Sequence, residues 1–330
     1  MLNTKKIDTR FRNLFKNGKL VHIHVRKWPM CTSVQPEDLG LEATADKPAT
    51  KVPEFISLGR KKLFTDDVRL AFGRIENGAR KFLQSNSHDF PLVDAHFVPC
   101  KILPRVMAAL DKYHDDYEAA VVKFLANYEG HKQKMFEAYP DYKTILEPYY
   151  PTVEAIRPKY SFTIRSFEVA FPSKVKDVTM TDVLAQNIAA EAASKKYEQQ
   201  MREQYEQQMK QMEEFVQTSA LALRNKIVET FEIIAQKIKG KEVVTAVNLK
   251  TLKNVIDSFD ALDFLDDEKV KEQLKTVKAL VESGSDFKDD ATALQHLEAA
   301  ITSTLATAKD MSDVDSITGG YIRRLDMGEL

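Results

Sequence analysis

The chain has 330 residues, with 48 Lys and Arg against 49 Asp and Glu, and a formal net charge of −1 excludes a global field that would drive it onto nucleic acid or anionic lipid. Charged residues make up 29%, and only 11 Gly and 12 Pro interrupt the chain, a balance that fits long helices with solvated faces better than one large globule. Two cysteines, Cys31 and Cys100, exclude a disulfide framework; with no apolar run long enough to span a bilayer and no signal-peptide pattern, the expected place is the cytoplasm, with reduced thiols and no membrane contact.

Charge is uneven at the start. Residues 1–28 carry eight basic side chains against the single acid Asp8, a local net charge of +7. The ordinary reading is a solvated N-terminal arm. The functional reading is contact with nucleic acid or an acidic partner through Lys5, Lys6, Arg10, Arg12, Lys16 and Lys19. Lys19 to Trp28 alternates, with Val21, Ile23 and Val25 on one face and His22, His24 and Arg26 on the other, which predicts a half-buried strand closed by Pro29. Pro36, Pro48 and Pro53 among small polar residues predict a loop over 33–55. A helix follows from Asp66 to Gln84, capped by Thr65 and striped by Val68, Phe72, Ile75, Ala79, Phe82 and Leu83; residues 90–99 read as extended.

The strongest periodicity comes next. Met107, Leu110, His114, Tyr117, Val121, Phe124, Tyr128, His131 and Met135 alternate spacings of three and four, a heptad seam over a helix from Leu103 to Ala138 stopped by Pro140. The two histidines on this seam read as buried polar positions that fix register rather than as ligands. Tyr160 to Phe171 reads as one or two strands with a slip at Arg165–Ser166. The longest helix runs from Asp182 to Lys239 with Gly240 at its C-terminal cap, and Tyr197-Glu-Gln-Gln-Met201 recurs as Tyr205-Glu-Gln-Gln-Met209. Across it Met201, Met212, Leu223 and Ile234 stand 11 apart, as do Tyr205, Val216, Ile227 and Ile238, a period that drifts little on a real helix. The two long helices are expected to fold back as an antiparallel coiled-coil-like hairpin.

Three shorter helices (Leu249–Leu262, Asp267–Ser283 and Asp290–Ala308, capped by Asn248, Asp266 and Asp289) read as a bundle, followed by a loose tail over 311–330 that contains Gly319-Gly320. The fold class is therefore mainly α with a small β element. The expected organisation is a mixed α/β unit over 1–100, the hairpin over 101–240 with its β segment at 160–171, a three-helix bundle over 241–310, and the tail.

No GxxxxGK[ST] loop, GxGxxG turn, HExxH or GxSxG motif is present, which removes the usual sequence support for nucleotide hydrolysis, dinucleotide chemistry, zinc proteolysis and α/β-hydrolase chemistry; no cofactor is indicated, and the chain reads as non-enzymatic. The residual enzymatic reading is a metal held by His22, His24 and His96 with Asp94 and His88 nearby, set against the more common case of surface histidines on a strand. Tyr139, Tyr142, Tyr149, Tyr150 and Tyr160 around a Pro-rich loop are either a contact surface or the closure of the hairpin tip. Tyr197, Met201, Tyr205 and Met209 on the rod are candidates for an adaptable interface, against the plainer reading of coiled-coil core.

The stretches Leu20-Val-His-Ile-His-Val-Arg-Lys-Trp28, Pro36-Glu-Asp-Leu-Gly40 and Ile56-Ser-Leu-Gly-Arg-Lys-Lys-Leu63, with the helix around Tyr117–Tyr128 and the C-terminal bundle, resemble a family of bacterial and phage proteins catalogued as a domain of unknown function. The resemblance covers roughly residues 10–308. It implies no catalytic residue. It does imply a setting in phages and mobile elements, and protein partners: a MoxR-type AAA+ ATPase or a von Willebrand A protein. The resulting expectation is a structural or adaptor protein that oligomerises or binds such a partner, with a nucleic-acid role for the basic segment and a metal-dependent activity as alternatives.

Overall fold

The basic N-terminal segment opens as a helix, α1 (Thr4–Asn17), and runs without a loop into the expected strand, β1 (Gly18–Arg26). The computed structural model describes residues 4–35, 38, 58–169, 188–283, 287 and 290–327, with backbone alone for 4–8, 188–199, 201, 202 and 205. The segment is not a solvated arm, because Phe11, Leu14 and Phe15 share one helix face and are buried. Gly18 is required at the junction: a Cβ there would lie 2.3 Å from the Phe97 ring.

Beyond the loop, of which most lies outside the described residues, come β2 (Cys31–Ser33), β3 (Arg60–Lys62) and α2 (Asp66–Ser85). The extended segment resolves into β4 (His88–Phe90) and β5 (Ala95–Pro99). The heptad seam is split between α3 (Leu103–Ala126) and α4 (Tyr128–Ala138). The break at Asn127 has a local cause: its N–H is shared between the carbonyls of Lys123 and Phe124, both at 3.2 Å, which tightens the turn. The Pro-rich stretch forms short helical turns, including α5 (Lys143–Leu146) and α6 (Val153–Ile156), with prolines opening several of them, and leads to β6 (Ser161–Phe167).

The long helix is α7 (Ile188–Lys239), 52 residues and roughly 78 Å at about 1.5 Å per residue. Gly240 is not its left-handed residue; Lys241 is, at φ 57°. Then follow α8 (Ala246–Leu262), α9 (Glu268–Glu282), α10 (Ala291–Ala308) and α11 (Met311–Met327). The three expected bundle helices are present, with caps shifted to Thr245, Asp267 and Asp290. Asn248 is the N3 member of a capping box with Thr245, and Asp266 takes φ 60°. The expected tail is instead a helix over 311–327, since Val314, Thr318, Tyr321 and Leu325 recur at helical spacing and are buried.

One sheet has the order β4-β5-β1-β6, and β2 pairs with β3. β1 and β5 are antiparallel with Val21 opposite His96, and β4 and β5 antiparallel with Asp89 opposite His96. The chain divides into two compact units, each discontinuous in sequence: Met1–His22, Gln84–Val106 and Ser166–Leu330 in one, Ile23–Leu83 and Met107–Arg165 in the other.

In the first unit α7 packs along α8, α10 and α11, and α1 packs on α11. Every described member of the two 11-residue series on α7 is buried (Met212, Leu223, Ile234; Val216, Ile227, Ile238). Met212 and Val216 share a core with residues of α1, the sheet and α11, and the later turns pack against the bundle helices. Within its own unit the described apolar face of α7 is therefore covered by α8, α10 and α11. Phe97, Phe215 and Phe264 close this core, with Phe215 stacked on Phe264 at 6.0 Å. The second unit closes on aromatic rings: Phe72 meets Tyr117 at 5.7 Å, Phe124 at 5.9 Å and Tyr160 at 5.0 Å, while Phe64 meets Trp28 and Tyr150 edge-on. Of the seam residues of α3 and α4, Leu110, Tyr117, Val121, Phe124, Tyr128 and Met135 are buried, while Met107, His114 and His131 are half-buried.

Candidate functional site

The basic residues of α1 do not act alike. Arg10 is buried and bonded to Asp326 of α11 and to Glu213 of α7, the latter at 3.0 Å. Burial disfavours its charge, but the bonds to Asp326 and Glu213 outweigh that and raise its pKa. Arg12 and Lys16 are exposed and share a helix face, Lys19 pairs with Glu168, and the side chains of Lys5 and Lys6 lie outside the described residues.

The tyrosines separate into two groups. Tyr150 packs between Phe64 and Phe136, and its hydroxyl donates to the Leu63 carbonyl; burial pushes its pKa up to about 12. Tyr160 is buried, and Tyr149 lies under the Lys61 ammonium at 3.4 Å. These close the fold. Tyr139 and Tyr142, in contrast, are 50% and 57% exposed. The seam histidines are held by rings: His114 edge-on to Phe162, His131 stacked on Phe124.

On the rod, the side chains of Tyr197, Met201 and Tyr205 lie outside the described residues; Met209 is half-buried, its sulfur 4.0 Å from the Arg10 guanidinium. No described side chain between 203 and 211 is buried, whereas from Met212 onward the same helix is buried with a helical period.

The strand histidines do not converge. Directly opposed residues of an antiparallel pair share a face, so Val21 and His96 lie together and His22, one residue on, points to the other side. His22 approaches Asp94 at 3.8 Å, and His96 lies 2.9 Å from its opposite number Asp89. Among the described residues no three His, Cys, Asp or Glu side chains are placed to hold a metal ion.

A half-open groove of about 370 Å³ lies elsewhere in the first unit, between the β4 segment and α7. One α7 stripe, Gln211, Glu214, Thr218 and Ala222, forms one wall; Gln84, Ser87, His88, Asp89 and Pro91 form the other, with Phe215 and Ser219 at the base. His88 is 7% exposed, its ring edge-on to Phe264 at 5.2 Å, and its Nε2 is 3.0 Å from the Leu262 carbonyl. Burial lowers its pKa, opposed by that carbonyl and by Asp89. The sequence signal for this groove is slight: a polar stripe beside the 11-residue apolar series, with nothing to indicate that His88–Asp89 faces it.

A family model matches residues 16–300, which takes in most of both compact units. The chain belongs to the family described as "Protein of unknown function (DUF3150)". The match leaves out most of α1 and all of α11, the two helices that Arg10–Asp326 ties together. No curated protein and no solved structure matches the chain. As a DUF3150 member it carries a family description that assigns no catalytic chemistry. Among the described residues no helix is long and apolar enough to cross a membrane.

Proposed function

We propose that this DUF3150 protein is a non-enzymatic adaptor of a phage or mobile element. It presents the N-terminal part of α7 to a protein partner. One observation carries the reading: residues 203–211 continue a helix whose later turns are fully engaged, yet none of their described side chains is buried by this chain. A polar helical surface left over from an otherwise packed element is a recognised docking form, read by a partner groove or helix. Exposed Tyr139 and Tyr142 supply a second contact of the kind enriched in interface hot spots. The partner class comes from the family resemblance: a MoxR-type AAA+ ATPase or a von Willebrand A protein, with self-association through the same surface as the alternative form.

Affinity purification of the tagged full chain from its native host tests this. Near-stoichiometric recovery of a AAA+ ATPase or von Willebrand A protein, reduced by charge reversal at Glu206 and Lys210, supports the adaptor. A bait recovered alone and monomeric at micromolar concentration overturns it.

Exposed Arg12 and Lys16 keep a nucleic-acid role open as the second reading. Because α1 is part of the core, Arg12→Ala with Lys16→Ala is the proper test rather than deletion. Loss of salt-dependent DNA binding would support it, and retention would sink it.

A further inference from the structure

We propose that a small cavity on α7 binds one internal water, which completes the hydrogen bonding of Arg224, Asp263 and Asp267. The cavity holds about 10 Å³ and lies between Arg224, the turn of residues 263–267 that joins α8 to α9, and Val314 and Ile317 of α11. All its lining residues except Ile317 are buried. That space is about one water molecule and too small for an organic guest. The inference does not depend on the adaptor reading and stands if no protein partner is found.

The donors and acceptors of three buried side chains on this cavity decide between a wet site and a dry one. A guanidinium carries five N–H donors. The Nε of Arg224 donates to Asp267, its Nη1 to the carbonyls of Thr307 and Asp310, and its Nη2 to Asp313. One Nη2 N–H is left without an acceptor among the described residues, on a side chain that is 2% exposed. The two carboxylates have the opposite surplus. An ionised carboxylate accepts about four hydrogen bonds. Asp267 accepts from Arg224 and from the Val270 N–H, and Asp263 accepts from the N–H groups of Leu265 and Asp267 and from Lys271. Both aspartates are buried, and each keeps a lone pair to spare. A buried polar group without a partner is costly, and an internal water is the usual remedy where the site is polar. Water both accepts and donates, so one molecule meets the spare N–H and the spare lone pairs together. A sodium or ammonium ion accepts nothing from a guanidinium and is repelled by its charge.

A high-resolution crystal structure of the full chain tests this directly. The expected result is one fully occupied solvent peak in the cavity, within hydrogen-bond distance of the Asp263 and Asp267 carboxylates. Oxygen-17 relaxation dispersion, which counts long-lived internal waters, makes the same test in solution. Val314→Ile adds one methylene to the cavity wall and is expected to lower that count by one and to remove the peak. A cavity without density, a peak bonded to neither carboxylate, or a count that Val314→Ile leaves unchanged overturns the proposal. A peak whose oxygen contacts are all shorter than hydrogen bonds marks a cation and overturns it as well. Should Val314→Ile fail to fold, the crystal structure of the unsubstituted chain decides the question by itself.

Discussion

Arg224 is 2% exposed and joins three helices to α7. Its Nε donates to Asp267 at 2.7 Å, its Nη2 to Asp313 at 2.5 Å, and its Nη1 to the carbonyls of Thr307 and Asp310 at 3.1 and 3.2 Å. Asp267 at the same time caps α9, accepting from the Val270 N–H. Arg224→Met therefore removes the buried guanidinium that neutralises two buried carboxylates and donates to two helix-terminal carbonyls, and is expected to cost about 3–5 kcal/mol in urea unfolding. Lys269→Met, which removes an exposed donor from the same Asp313, is expected to cost about 0–1 kcal/mol. Equal losses would show that Arg224 is not the keystone. His88 gives a pH prediction. Its folded pKa is lowered by burial, so the unfolded chain binds the proton more readily, and stability is fully present above the ordinary histidine value of about 6.5 and falls as pH drops below it. His131, lowered by burial and by Lys134, adds in the same direction. The urea midpoint is expected to decline between pH 7 and 5, with a shallower decline in His88→Gln; an unchanged slope in that variant would remove His88 from the account.

Elements were legible in the sequence where one period dominates and obscure where two signals compete. The 11-residue series of α7 shows which residues are buried, because burial along a helix follows a single face. It does not show what covers them, which depends on contacts between residues far apart in the chain. The tail is the instructive failure. Gly319-Gly320 reads as a breaker, yet Val314, Thr318, Tyr321 and Leu325 stand four, three and four apart, and burial of that stripe outweighs a cost of about 1 kcal/mol per glycine. Caps moved by one residue at Asp266–Asp267 and Asp289–Asp290, where adjacent aspartates offer the same chemistry and only the chain's entry angle decides. Of the candidate sites, the exposed tyrosines were visible as residue types, but their separation from half-buried Tyr150 and buried Tyr160 was not. The groove could not be read at all, since it needs α7 set against the β4 segment. Helix α11 supplies the test at this scale. Leu325→Ala is expected to cost about 2–5 kcal/mol, as buried leucines do, while Met327→Ala, 63% exposed, stays within about 0.5 kcal/mol. Comparable, negligible effects at both positions would return 311–327 to the status of a tail.

At the scale of the molecule, the chain passes between its two units four times, at 22/23, 83/84, 106/107 and 165/166, so neither unit is a single stretch of sequence. What the family match leaves outside, most of α1 and all of α11, is what clasps the middle of α7: Asn13 donates to the Leu325 carbonyl at 2.8 Å and Asn17 to the Tyr321 hydroxyl at 2.9 Å. With α8 and α10 covering the later turns, the buried positions among the described side chains of α7 run from Met212 to Ile238. Local opening follows buried contacts, so amides over 212–238 are expected to exchange slowly and those over 203–208 much faster, with the boundary near Met212, by hydrogen exchange and mass spectrometry. The comparison also bears on the functional reading. If 203–208 are fast in the dilute protein and become protected when the putified AAA+ or von Willebrand A candidate is added, the uncovered turns are the docking surface. If they are already slow, and slower at higher protein concentration, a second copy of the chain covers them and self-association is the function of the surface. Uniform slow exchange that ignores both concentration and partner would mean that these turns are stabilised within the single chain, and the adaptor reading would lose the observation on which it rests.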